Sequence, residues 1–493
     1  MSDSNIADYT SGSSESSPSR TINVNASWSV INKVATYAIS LLFTAILSRM
    51  IAPSEFGIFA MAMTVSAFFL IFSDGGMVWS LIQKKDIKAE EVSNLRWLNG
   101  GLGLLMWAGV ALVAPLMANL YSQPDVATLL FVLGINFFLV GISTPATMWM
   151  KRNMAFRDIA MIEIMSNVCG GVIAVWSAWQ GAGFWALAIQ TLIKSFVNMS
   201  LVCLYAKCPL LRYDSTIDMR KMALFGSALV GYGIVNYMAR NFDNVLLGVM
   251  TSTEELAFYS RAYFLMMLPS MITTGALTGL MVSLLSGLQD KRNEYHKQYI
   301  QCLRFIFIVT APIAIYFCLF PLDPILLLYG EQWISVAPLL QILSIACLTQ
   351  PLHNTMGWLF TSCGAGGKML RWGVFASICL TLSFLIGIRW GVEGIAVSYT
   401  LVMGLSLTVG ALWAAHKAAN ITVITTLRSL LKPLVVVVTT VTVVYLIERL
   451  APLQLSSLFT TIVYHGMLIV TCYFSLLLIA YRGEVKRILR ISP

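Results

Sequence analysis

The chain has 493 residues, 58% of them hydrophobic and 11% charged, with a mean hydropathy of +0.77 and a formal net charge of +9. Soluble domains carry about 25% charged residues, so the composition excludes a soluble fold and indicates an integral membrane protein. The positive balance does not indicate nucleic acid, because the basic residues stand in short loops between apolar runs, where they report topology.

Residues 1–21 are polar and Ser-rich with no basic n-region, which reads as a disordered cytoplasmic tail rather than a signal peptide. Crossing about 30 Å of hydrocarbon takes about 20 apolar residues in a helix. Runs of that length fall near 26–49, 57–82, 97–120, 127–149, 160–180 and 184–206. Six more lie near 222–250, 258–286, 303–320, 334–360, 369–388 and 393–415, and a last two near 429–447 and 458–481. The expectation is an all-α polytopic membrane protein with fourteen transmembrane helices.

Loops on one side, with both tails, hold 25 of the Lys and Arg residues, whereas the other side holds only Arg49, Arg389 and Arg449. This alternation places both termini in the cytoplasm. The outer loops are short; the longest, 321–333, has about 13 residues.

The first and seventh spans align at an offset of 200. "LSRMIAPSEFGIFAMAM" (47–63) stands against "LGVMTSTEELAFYSRAY" (247–263), with Met50 on Met250, Glu55 on Glu255 and Phe59 on Tyr259. Further along, Leu120-Tyr121 matches Leu328-Tyr329, and Gly181 in "WQGAGFWALA" falls on Gly391 in "RWGVEGIAVS". Spans 1–6 and 7–12 are therefore read as two copies of one unit. Six is even, so the copies enter the membrane alike and are related by an axis along its normal, as in parallel-repeat transporters. The expected organisation is a tail (1–21), a six-helix bundle (22–207), a second bundle (220–418) and spans 13–14 (428–482). Two such bundles with a site between them imply transport by alternating access.

Charges inside spans are costly, and they pair, face water or bind ligand. Four bases fall there: Lys33, Lys194, Arg240 and Arg261, with Asp74 and Asp243 as the acids. Lys33 and Asp74 share a depth on adjacent spans, which suggests a pair. Asp243 follows Arg240 at i+3, on the same helical face, but one carboxylate cannot occupy five guanidinium donors. Arg261 stands near Glu254 and Glu255, and Lys194 has no acid near it in its own span. Structural ion pairs or snorkelling heads are one reading of these residues. The other is a basic, wet cavity for an anionic group such as a diphosphate, with Lys194, Arg240, Lys33 and Arg261 as substrate-binding residues and Asp74 and Asp243 as ion-pair or coupling residues. Trp28, Trp79, Trp97, Trp149, Trp185, Trp333 and Trp390 fit interface belts. The nine cysteines include no C-x-x-C pair, the four histidines have no metal-ligand spacing, and catalytic motifs are absent, so no cofactor, no metal and no enzymatic activity are expected.

Several stretches carry a family resemblance: "APSEFGIFAMAM" (52–63), "FSDGGMVWSLIQKKD" (72–86), "NYMARNFDNVLLG" (236–248), "LYGEQWISVAPLLQIL" (328–343) and "WGVEGIAVSY" (390–399). The chain resembles the Wzx-type polysaccharide flippases of the multidrug/oligosaccharidyl-lipid/polysaccharide superfamily from about residue 22 to 480. Exporters of colanic-acid-like exopolysaccharide units look nearest. "SDGG" at 73–76 departs from the family's glycine-hydrophobic-glycine pattern. The resemblance implies an inner-membrane flippase for an undecaprenyl-diphosphate-linked oligosaccharide, moved from the cytoplasmic to the periplasmic leaflet. Membrane lipid, H⁺ or Na⁺ coupling, and contacts with a polysaccharide polymerase or co-polymerase are the partners it brings. A cation-coupled drug antiporter of the same superfamily is the alternative. A membrane polymerase or ligase fits worse, since such enzymes need a sizeable outer loop.

Overall fold

The computed structural model describes residues 18–73, 78, 89–206, 213–214, 220–451, 453 and 457–482. Among them there is no strand, as a bilayer requires of a chain that satisfies its backbone within each segment. The first half contains α1 (Pro18–Met50), α2 (Pro53–Ser73), α3 (Ala89–Leu120), α4 (Asp125–Leu133), α5 (Ile135–Arg152), α6 (Phe156–Trp179) and α7 (Phe184–Tyr205). The second half follows with α8 (Arg220–Met250), α9 (Thr253–Gly287), α10 (Arg292–Leu319), α11 (Leu322–Leu328), α12 (Val336–Ser362) and α13 (Gly366–Gly387). It continues through α14 (Gly391–Ser398), a π-helical stretch (Tyr399–Leu407) and α15 (Thr408–Ala419) before α16 (Val423–Leu450) and α17 (Leu458–Ala480).

Twelve stretches are long and apolar enough to cross a membrane. One of them, Gly366–Ala419, is a hairpin that turns at Ile388–Trp390. With that hairpin counted as two and α8 added, the helices able to span number fourteen among the described residues, as the apolar runs predict. Large hydrophobic side chains such as Leu112, Trp179, Leu204 and Leu450 point outward, where lipid covers them.

Three local expectations are corrected. Helix α1 begins at Pro18, inside the segment read as a disordered tail, because proline suits a first helical position. Helix α2 ends at Ser73 rather than near 82, and most of 74–88, including Asp74, lies outside the described residues. The supposed outer loop 321–333 is folded, as α11 and a 3-10 turn at Glu331–Trp333.

Packing repeats between the halves. In the first, α1 lies along α6 and α3 along α5; in the second, α8 lies along α13 and α10 along α12. The aligned glycines Gly181 and Gly391 both adopt positive φ, +82° and +67°, at the turn into the sixth helix of their half. That region excludes most L side chains, so glycine is used at both turns.

The halves meet where α2 and α9 cross. A Cβ on Gly57 would stand 1.9 Å from the Thr253 carbonyl oxygen, so the two backbones touch with no side chain between them. Around this crossing the Arg49 guanidinium donates to the Leu327 carbonyl at 2.6 Å, and Trp333 Nε1 donates to the Ser48 carbonyl at 2.8 Å. Gln332 also donates to the Ser48 carbonyl, and Tyr121 packs on Gly248. One hydrophobic core runs through this end from both halves and includes Leu47, Phe56, Leu256, Tyr329 and Trp333.

The last two helices dock on the second half at the same end. His465 Nδ1 lies 2.6 Å from Asp323 Oδ2, and the Tyr316 hydroxyl donates to the same oxygen at 3.0 Å. Phe320 stacks on the His465 ring at 3.7 Å, and Glu448 Oε1 lies 3.9 Å from His465 Nε2.

The crossing makes a stability prediction. Gly57→Ala inserts a methyl against fixed backbone and is expected to cost about 1–3 kcal/mol, read as a lower Tm in detergent. Gly275→Ala, where a Cβ meets nothing within 4 Å, leaves Tm near the wild-type value.

Candidate functional site

Arg240 and Asp243 lie on one face of α8, three residues apart, yet they do not form the ion pair that their spacing allows. Asp243 is 1% exposed. Its Oδ2 accepts a 2.7 Å hydrogen bond from the Tyr259 hydroxyl, and its Oδ1 accepts one of 2.8 Å from the Asn244 backbone N–H. Arg240 is exposed, and among the described residues no carboxylate lies within 4.0 Å of its guanidinium. A buried carboxylate takes the nearest donors that come ready-oriented. A tyrosine one helix away and a local N–H meet that need, and the guanidinium turns to the Tyr263 hydroxyl and open space while still acting on Asp243 through its charge.

Two cavities provide that space. The first, of about 520 Å³, lies between the halves and is lined by Ile71 of α2, by Tyr237, Asn241 and Asn244 of α8, and by Ser260, Tyr263, Phe264 and Met267 of α9. The second, of about 310 Å³, lies inside the second half and is lined by Gln350, His353 and Asn354 of α12 with Trp372 and Ser377 of α13. Arg240 borders both. It also acts electrostatically on the Tyr263 and Tyr399 hydroxyls, which are 3.3 Å apart. From Tyr399 a chain of hydrogen bonds runs onward. Tyr399 donates to Gln350 Oε1 at 3.0 Å, Gln350 to Asn354 Oδ1 at 3.3 Å, and Asn354 to Ser270 Oγ at 2.7 Å.

The other predicted residues are dispersed. Lys194 lines a separate cavity of about 310 Å³ in the first half, with Lys151, Ser143, Thr144, Thr147 and Asn198. The stem of Lys194 packs on Gly170, and Glu163 of α6 is near enough to act on its charge, an acid that span 6 alone does not reveal. Lys33 Nζ donates to the Gly275 carbonyl at 2.7 Å, joining α1 to α9; its expected partner Asp74 lies outside the described residues.

Arg261 does not reach Glu254 or Glu255. Its guanidinium lies over the Phe56 ring at 4.3 Å, with Trp333 and Tyr329 at 5.9 and 6.0 Å, an aromatic cage at the sealed end. Glu255 is committed elsewhere, in a capping box with Ser252 at the start of α9.

Sequence reasoning missed Lys151, counted as a loop base, and the polar set on α12. The signal for that set was present: Gln350, His353 and Asn354 recur at i, i+3 and i+4 within an apolar run, which puts them on one face.

Residues 46–338 match the family model described as "Polysaccharide biosynthesis protein". The chain is 25% identical to the lipopolysaccharide biosynthesis protein WzxC of Escherichia coli (strain K12) over 384 residues, 76% of this chain and 77% of that protein. It is 23% identical to the succinoglycan biosynthesis transport protein ExoT of Rhizobium meliloti (strain 1021) over 400 residues, 81% of each. Among solved structures, the lipid II flippase MurJ in an inward closed conformation is similar at a TM-score of 0.73 and 12% identity, covering 94% of this chain and 99% of that one. An inward-facing MATE family multidrug transporter is similar at a TM-score of 0.64 and 14% identity, covering 79% and 98%. The fold is thus that of the superfamily which the resemblance implies.

The geometry around Asp243 separates two roles. Tyr259→Phe removes a donor from a buried carboxylate and is expected to lower unfolding stability by about 1–3 kcal/mol. Arg240→Gln changes an exposed group with no carboxylate in contact and is expected to stay within about 0.5 kcal/mol. Thermal unfolding of both variants in detergent checks this; equal losses would mean that Asp243 depends on Arg240 rather than on Tyr259.

Proposed function

The chain belongs to the polysaccharide biosynthesis protein family, and on that premise we propose that it is an inner-membrane flippase for an undecaprenyl-diphosphate-linked oligosaccharide. The repeat unit crosses from the cytoplasmic to the periplasmic leaflet through the cavity between two six-helix bundles, 22–207 and 220–418. The lipid tail stays in the bilayer. Spans 13 and 14 (428–482) lie outside the repeat and brace the second bundle.

One observation carries this reading: Arg240, without a carboxylate partner, borders the cavity between the halves. An unpaired guanidinium at membrane depth is costly unless it meets water or an anion. A diphosphate offers paired acceptor oxygens to its planar fork, and the volume is within the range of small-ligand sites, about 300–1,000 Å³. Tyr237, Asn241, Asn244 and Ser260 add neutral hydrogen-bonding groups around the same space. Lys194 and Lys151 supply a second basic pocket in the first bundle, on the route of the same charged head.

The excess of Lys and Arg on the side of the tails puts the termini in the cytoplasm. The Gly57–Thr253 crossing then lies at the periplasmic end, and this conformation is closed there. Export requires those contacts to part as the bundles rock. Asp243, sealed beneath Arg240, is the carboxylate through which H⁺ coupling would act. The drug antiporter alternative is disfavoured, because neither Arg240 cavity has an Asp or Glu among its described lining residues to hold a cationic drug.

The test is a deletion strain complemented with variants. Arg240→Glu and Lys194→Glu are expected to reduce export about 10²-fold or more, since each places a negative charge where a diphosphate must pass. Lipid-linked repeat units then accumulate on the cytoplasmic leaflet while the protein still inserts. Normal surface polysaccharide with Arg240→Glu overturns the assignment.

A further inference from the structure

The short helix α11 (Leu322–Leu328) is tied at both ends, to two different parts of the protein. Seven residues make about 10 Å of helix, too short to be stable unless other elements hold it. Its last carbonyls have no partner within the helix. Those of Leu326 and Leu327 accept instead from the Arg49 guanidinium, at 3.4 and 2.6 Å, and Arg49 belongs to α1 of the first half. A cation there also suits the negative end of the helix dipole. The chain then runs into the turn whose Gln332 and Trp333 donate to the Ser48 carbonyl, again in the first half. At the other end of α11, Asp323 accepts from the Tyr316 hydroxyl of α10 and lies 2.6 Å from His465 Nδ1 of α17. An ionised carboxylate can only accept, so Nδ1 carries the proton in this contact.

The hold on α17 is strong at one atom and incomplete at the next. Phe320 stacks on the imidazole at 3.7 Å and fixes the plane of the ring. Nε2 on the far side of the ring stands 3.9 Å from Glu448 Oε1 of α16, beyond hydrogen-bond reach, and that oxygen is buried without a hydrogen-bond partner. Most of α17 faces outward, with Ile469 and Tyr473 as its buried residues. Among the described residues, the His465–Asp323 contact is the hydrogen bond that joins α17 to α11.

We propose that spans 13 and 14 gate the sealed end through α11. The His465–Asp323 contact holds α11 where its carbonyls and the turn after it meet the first half, and release of α17 makes that end easier to open. This inference rests on the flippase reading above, in which the sealed end parts during export. Spans 13 and 14 need no contact with the first half to do this, because a helix about 10 Å long transmits a shift from one end to the other. The tolerance is small: a displacement of about 1 Å takes the 2.6 Å contact of Arg49 with the Leu327 carbonyl out of hydrogen-bond range. His465 and Asp323 are thus positioning residues, which act on the seal through Arg49 and Trp333.

Hydrogen exchange of the purified full chain in nanodiscs, read by mass spectrometry without added substrate, tests the coupling. His465→Phe keeps a ring on Phe320 and removes the donor. His465→Asn places a donor where Nδ1 stands and loses the ring. With His465→Phe, exchange is expected to rise about tenfold at residues 322–333 and also at 47–57, which belong to the first half. With His465→Asn it is expected to stay within about threefold of wild type at both segments. Glu448→Gln offers an N–H to Nε2 and is expected to slow exchange at both. Residues 299–312, in the body of α10, are expected to exchange as in wild type in all three variants. A rise with His465→Phe that is confined to 322–333 overturns the proposal, since α11 then loosens without the seal. So does wild-type exchange in that variant, an equal rise with His465→Asn, or a rise that 299–312 share. These failures leave the flippase reading intact. Normal surface polysaccharide with Arg240→Glu overturns that reading, and with it the role of the contact in export, whatever the exchange shows.

Discussion

Gly57 rests on the backbone of Thr253, and that contact sets the geometry of everything beneath it. With no side chain between them, α2 and α9 come as close as helices can, and they occupy matching places in the two halves. Helices that touch at one end and continue at an angle must separate further along. The cavity between the halves begins at Ser260, seven residues or about 10 Å along α9 from the contact. The same crossing brings the end of α1 under α11, where Arg49, Ser48 and Ile51 meet backbone and side-chain groups of residues 326–333. A seal at one end and a space at mid-depth are thus consequences of one close approach.

The intramembrane charges are accommodated in different ways, and each is informative about mechanism. Lys33 finds a backbone carbonyl across the interface, Arg261 an aromatic cage, and Asp243 a tyrosine hydroxyl and a backbone N–H. Each of these three has its partners within the protein. Arg240 and Lys194 instead face open volume. Burial alone would have ranked Asp243 first as a functional residue. Satisfaction of donors and acceptors ranks it below Arg240, because a group whose hydrogen bonds are all made internally has little left to offer a ligand.

Much of the architecture was legible in the sequence. Apolar run length reports the spans because every span faces the same hydrocarbon thickness. The repeat was legible at its turns, where Gly181 and Gly391 both need positive φ, since backbone constraints restrict residue identity more tightly than packing does. Side-chain partnerships were not legible. The cage around Arg261 draws on residues 56, 329 and 333, and His296 and His416 both contact the Thr426 hydroxyl from distant helices. Contacts of that kind depend on which helix faces which, and neighbouring residues carry no trace of them. The pairing readings of Arg240 with Asp243 and Arg261 with the glutamates came from proximity along the chain, which is a weak guide once several helices compete for each charge.

The π-helical stretch Tyr399–Leu407 shows how the site and the fold constrain each other. A π-turn accommodates an extra residue, widens the helix and frees backbone groups, here met by Ser406 and Thr408 donating five residues back to the Leu401 and Met403 carbonyls. Its first residue, Tyr399, is the one that reaches both Tyr263 and Gln350. A regular α-helix through the same residues would turn the following side chains by a different angle and shift Met403, which lines the inner cavity. The irregular segment therefore sits where the polar chain between the two cavities begins. Such turns persist when the surroundings compensate their poorer hydrogen bonding. In this protein the compensation comes from the Ser406 and Thr408 hydroxyls, on the same stretch that brings Tyr399 to Gln350 and Met403 to the cavity wall, so a regularised helix would change the wall's shape.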